Sequence, residues 1–128
     1  MVQVVVGALV HEGRVLLAHR SPDKHAFPDV WDLPGGVVEA GESEEQALER
    51  ELREELGVRV TSASHLCRVT VRPGAGEAVL SAWLVREWEG TPTNVAPEEH
   101  VDIGWFTAED VPPLVHPHVR AAVLGAMG

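Results

Sequence analysis

The chain is poor in several residue types. It has one cysteine, no tyrosine and two phenylalanines in 128 residues. Cys67 has no partner for an intrachain disulfide, and a reducing cytoplasm is the expected compartment. Basic residues are scarce, with 10 Lys and Arg against 20 Asp and Glu and a formal net charge of -10. That balance argues against a broad basic surface for nucleic-acid polymers. A small anionic ligand stays compatible with it, provided local arginines or a metal ion offset the repulsion. The longest apolar stretch, Val4 to Val10, is far below the roughly 20 residues needed to span a bilayer, so no membrane association is expected. The start shows neither a basic n-region nor a cleavage-site pattern, so no signal peptide is expected. No repeat, low-complexity tract or linker divides the chain, and residues 1–128 read as a single domain with one core.

What is present alternates between strand and helix signals. Val2 to Val10 is rich in valine and reads as a strand, followed by a turn at His11 to Arg14 and a second strand at Val15 to Arg20. The prolines and aspartates of Ser21 to Asp29 mark a loop. Val30 to Gly36 leads into a short extended piece. Val58 to Val71 and Ala78 to Trp88 read as strands joined by a turn over Arg72 to Glu77. Gly90 to His100 is a loop, and Val101 to Phe106 a last short strand. A short capped helix is expected at Thr107, and a terminal helix with Pro117 in its first turn. The pattern predicts an α/β or α+β fold with a mixed sheet.

The remaining segment carries the chemistry. Ser43 is a good N-cap, Gln46 completes a capping box, and Gly57 is a C-terminal glycine, so a helix lies between them. At about 100° per residue, Leu48, Leu52 and Leu56 form one apolar stripe. Glu51, Glu54 and Glu55 lie together, Glu55 close to the apolar edge, and Arg50 and Arg53 lie round the other side. Two readings compete. One is a solvated charged face, which suits Glu44, Glu45 and Glu49. It suits Glu55 badly, because a carboxylate beside a leucine stripe loses hydration without an evident partner. The other is a divalent cation site, since oxygen ligands at i, i+3 and i+4 can converge on Mg²⁺.

The stretch Gly35 to Val58, GGVVEAGESEEQALERELREELGV, resembles the Nudix box, G-x5-E-x7-R-E-U-x-E-E-x-G-U with U a bulky aliphatic. Gly36, Glu42, Arg50, Glu51, Leu52, Glu54, Glu55, Gly57 and Val58 fill its positions without departure. Outside the box, "WDLPGG", "WLVREWEG" and "WFTAEDVP" look like the MutT-type branch. The resemblance implies a Nudix α/β/α sandwich with a mixed β-sheet and a loop-helix-loop box. It implies hydrolysis of a nucleoside diphosphate linked to another group. Glu51, Glu54 and Glu55 would ligate Mg²⁺ or Mn²⁺ with the Gly35 carbonyl, Arg50 would orient Glu51, and Glu42 would brace the loop.

The resemblance also implies a phosphate-contacting arginine near Arg20, which a solvated strand end explains equally well. His25, in the following loop, could reach phosphate or base, and Gly36 completes the expected substrate contacts. A further glutamate from a later loop serves some relatives as base or ligand. Here its place falls on His100, a departure that leaves Glu99 or Glu98 for the role, with Glu99 favoured. Catalysis is thus expected to rest on Arg50, Glu51, Glu54 and Glu99. Asn94 could read a base, whereas Trp105 and Phe106 suit the core, and His116 and His118 suit a surface helix start. The expected substrate is a nucleoside triphosphate, oxidised or not. ADP-ribose or a nucleotide sugar is the alternative, held open by Pro73. A sensing module that binds nucleotide without hydrolysis is the alternative of another class. Many Nudix proteins dimerise, which leaves a homodimer open.

Overall fold

A computed structural model of the chain describes residues 1–72 and 76–128. Pro73, on which the ADP-ribose alternative hung, lies outside the described residues, as does the middle of the turn expected over Arg72 to Glu77. The chain opens with β1 (Val2–His11), which turns through Glu12 and Gly13 into β2 (Arg14–Arg20). Both turn residues have positive φ, 49° and 75°, as a tight two-residue hairpin turn requires. Then follow β3 (Trp31–Asp32), β4 (Gly35–Val37), α1 (Glu44–Leu56), β5 (Arg59–Val71), β6 (Ala78–Glu89), β7 (His100–Thr107) and α2 (Pro117–Ala126).

The sheet is mixed and β1 is its hub. It runs parallel to β6 over eight registered pairs and antiparallel to β4, with Val5 opposite Gly36. Its far end pairs with β2, which carries β3 on one side and β7 on the other. The valine-rich run is explained by burial on both faces. Val5 and Leu9 face α1, packing with Leu48, Leu52, Leu56 and Val85. Val6, Ala8 and Val10 face the opposite layer, with Leu80, Ala82, Val119 and Val123. The two helices thus cover opposite faces, and the expected α/β/α sandwich is what forms. Among the described residues no helix is long and apolar enough to cross a membrane.

The helix α1 is fixed at both ends by the signals in its sequence. Ser43 accepts from the Gln46 amide while the Gln46 side chain accepts from the Ser43 amide. Gly57 closes the helix at φ 71°, in the left-handed region, donating its N–H to the Arg53 carbonyl. Glu44 ties the first turn to the sheet, accepting from Arg68, Ser81 and Trp83. One expected element is corrected. Thr107 opens a single turn, closed by the amides of Asp110 and Val111, and the turn does not continue into a helix. Pro112 and Pro113 supply no N–H donor to continue it.

Candidate active site

Three pieces of chain meet at one face of α1: β4, the helix itself, and the loop entering β7. Arg50 organises the first two. Its Nε and Nη2 donate to both oxygens of Glu42 at 2.7 and 2.9 Å, Nη2 also donates to the Val37 carbonyl at 3.0 Å, and Nη1 donates to Glu51 Oε1 at 2.8 Å. Although the helical angle sets Arg50 well round from Glu51, its long side chain curls back to meet it. This guanidinium holds the Glu42 carboxyl down to about 2, chiefly through their hydrogen bonds. Glu54 stands exposed, 3.5 Å from the same Nη1. A Cβ on Gly36 would sit 2.5 Å from the Glu51 carboxyl carbon, so the missing side chain is what lets that carboxylate lie against β4.

Glu55 is buried, 4% exposed, as its place beside the leucine stripe predicts. Its Oε1 is 3.2 Å from His100 Nε2, and its Oε2 has no hydrogen-bond partner. Burial, and then the neighbouring carboxylates of Glu51 and Glu99, push its pKa up to about 9. The His100 ring is itself pushed down, chiefly by burial. Glu99, the favoured base of the sequence reading, is half-buried and ion-paired with Lys24. That pair holds its carboxyl below the usual range. Glu98 is exposed.

A cavity of about 160 Å³ adjoins this cluster through Gly35, Gly36 and His100. Arg20 lines it, yet its guanidinium donates to the Ala26 and Phe27 carbonyls at 2.8 and 2.9 Å, which shapes the loop. His25 is exposed and is not among the lining residues. Two lining residues escaped the sequence reading. Asp32 has its pKa raised to about 6, chiefly by burial. His116, expected on the surface, lines the cavity edge-on to Phe27, with ring centroids 5.6 Å apart. The only sequence signal for Asp32 was a carboxylate set between Trp31 and Leu33. Asn94 holds the loop, donating to the His100 carbonyl at 2.8 Å. Phe106 packs on the core as expected, but Trp105 is exposed and stacks on Trp88.

Among the described residues no three His, Cys, Asp or Glu side chains stand gathered as a ready metal cluster. The donor chemistry nevertheless fits a hard divalent cation. Glu51 is close enough to Glu55 to raise its proton affinity, all their donors are oxygens, and one buried Glu55 oxygen is without a partner.

A model of the NUDIX domain family matches residues 1–124. The chain is 36% identical over 111 residues to a CTP pyrophosphohydrolase of Escherichia coli K12, covering 86% of this chain and 78% of that protein. It is 32% identical over 118 residues to an 8-oxo-dGTP diphosphatase of the same organism, covering 90% and 91%. The crystal structure of a MutT NUDIX hydrolase from Burkholderia pseudomallei superposes with a TM-score of 0.84 at 33% identity, covering 95% of each chain.

Proposed function

The chain belongs to the NUDIX family of hydrolases that cleave pyrophosphate linkages in nucleotides, and from that premise we propose that it converts a nucleoside triphosphate to the monophosphate and pyrophosphate. The observation that carries this reading is the Arg50 fork, which grips Glu42 and Glu51 together beside the buried Glu55, one of whose oxygens has no hydrogen-bond partner. Two relatives act, by their names, on CTP and 8-oxo-dGTP, both triphosphates.

Glu51, Glu54 and Glu55, with the Gly35 carbonyl, would hold Mg²⁺ or Mn²⁺. Such an ion offsets phosphate charge and acidifies a bound water. The chain's own groups do the positioning. Arg50 fixes the Glu51 carboxylate, Gly36 leaves it room, and His100 holds one oxygen of Glu55. Glu99, ionised near neutrality, is the group proposed to accept a proton from the attacking water. The water oxygen bonds to phosphorus as the bridging P–O bond breaks, and the leaving phosphate takes the electron pair. The base would enter the adjoining cavity, where Asp32 meets its polar edge and the edge-on pair of Phe27 and His116 forms an aromatic wall.

The test is product release across canonical and 8-oxo triphosphates, ADP-ribose, nucleotide sugars and dinucleoside polyphosphates, with Mg²⁺ and then with chelator. Metal-dependent pyrophosphate release, strongest with one triphosphate, supports the reading and names the base. Preference for ADP-ribose replaces it.

A further inference from the structure

Among the described residues three cations, Arg50, Arg20 and Lys24, border the site, and two of them are committed to holding the chain in place. Arg50 has its donors on Glu42, Glu51 and the Val37 carbonyl. Arg20 is turned onto two loop carbonyls. Lys24 differs, because its partner Glu99 is itself a candidate reacting group.

The backbone places this pair deliberately. The Ser21 amide donates to the Glu99 carbonyl at 3.1 Å, stapling the loop after β2 to the loop before β7. The Lys24 amide donates to the Ser21 carbonyl at 3.2 Å and the Asp23 amide to the Ser21 hydroxyl, closing a tight turn that presents the lysine inward. The Lys24 side chain is only 27% exposed. Its charge is felt at both Glu55 and His100, where it lowers proton affinity. The ammonium therefore sits in the field of the carboxylate cluster, on a flexible stem that holds it as a movable point charge.

Resting on the cation site proposed above, we infer that Lys24 is an exchangeable counter-ion: it neutralises Glu99 beside Glu55 in the metal-free protein, and moves to substrate phosphate when a divalent cation enters. The two cations sit in one cluster of carboxylates, the ammonium on Glu99 and the metal ion beside it at Glu55, so the arriving one repels the ammonium, and the polyphosphate brings the negative charge that receives it. The exchange also releases Glu99 for its role toward water. Lys24 is thus a positioning residue in the free protein and a substrate contact in the complex.

The consequence is a pair of effects of opposite sign. Lys24→Met should tighten the binding of Mn²⁺ alone by about threefold, the scale of a partly exposed ion pair, because a neighbouring positive charge is gone. The same variant should weaken magnesium imidodiphosphate by a similar factor or more, because a phosphate contact is gone. Free Mn²⁺ is read by electron paramagnetic resonance and imidodiphosphate by calorimetry. That probe carries no base, so an error in the base assignment leaves the result intact. Lys24→Arg, which keeps the charge, should return both constants toward those of the unaltered protein. Both affinities unchanged, both weakened, or only one altered would overturn the proposal. If the unaltered protein binds no Mn²⁺, the cation site fails first and this inference with it, a result distinct from a failure confined to Lys24.

Discussion

At the residue scale the site depends on one oriented carboxylate, one exposed carboxylate and one buried carboxylate, each held differently. Arg50→Ala should cut turnover sharply without touching substrate, because Glu51 loses its 2.8 Å partner and Glu42 both of its charged donors. Arg50→Lys should not rescue it, since an ammonium cannot serve two carboxylates through a planar fork. Arg53→Ala is the control, an exposed neighbour on the same helix; equal rates for the Arg50 and Arg53 variants would remove the orienting role. Glu54→Gln should lower turnover by orders of magnitude while circular dichroism and melting stay unchanged, because the residue is exposed and the change removes charge but little volume. Near-normal activity would remove Glu54 from the cation site. The Arg50 and Glu51 pairing was legible from the box motif. The burial of Glu55 was legible from its angle to Leu48 and Leu52. The His100 contact was not, because it joins the helix to the first residue of β7 some 45 residues later, and no periodicity carries that information. Asp32 escaped for the same reason, since its cavity is lined from segments scattered between Val4 and His116.

At the scale of elements, β4 carries two adjacent glycines with separable duties. A Cβ on Gly35 would lie 2.0 Å from the Val5 carbonyl oxygen, inside the backbone of the central strand. A Cβ on Gly36 would instead meet the end of the Glu51 side chain, which can swing away. Gly35→Ala should therefore lower the melting temperature or prevent folding. Gly36→Ala should melt nearly as the unaltered protein does and lose activity by displacing Glu51. Melting curves and rates measured on the same preparations check this, and a reversed pattern would mean the pocket beside β4 is misassigned. The helix α1 was legible to the residue at both ends because its caps are written in adjacent residues. The region after Thr107 was misread for a physical reason of equal simplicity. A threonine and an aspartate three residues on signal a helix start, but Pro112 and Pro113 leave the next turn without donors.

At the scale of the whole molecule, the fold stores an acidic cluster in an acidic protein, and stability should register it. Glu55 ionises near its ordinary value of 4.5 in an unfolded chain and near 9 in the folded, metal-free protein. Between those values unfolding releases a proton, so raising the pH from about 5 to 9 destabilises the metal-free fold through this group. Glu55→Gln should flatten that dependence in thermal melts made with chelator. Added Mg²⁺ should stabilise the unaltered protein most at the high-pH end, where no proton need leave for the cation to bind. A slope unchanged by the substitution would place Glu55 in solvent. The sandwich itself was legible as an α/β class, and β1 as a strand buried on both faces follows from its unbroken apolar run. Which strands neighbour β1 was not, because pairing with β6 and β4 is set across the chain rather than along it. The central claim is that these carboxylates act by holding a divalent cation. The most direct test is pyrophosphate release from the preferred triphosphate by chelator-stripped protein as Mg²⁺ is titrated back. The account predicts no turnover without the ion, saturable recovery with it, and no recovery for Glu51→Gln, Glu54→Gln or Glu55→Gln at concentrations that restore the unaltered protein. Turnover that persists in chelator, or glutamine variants that recover alongside the unaltered protein, would contradict it.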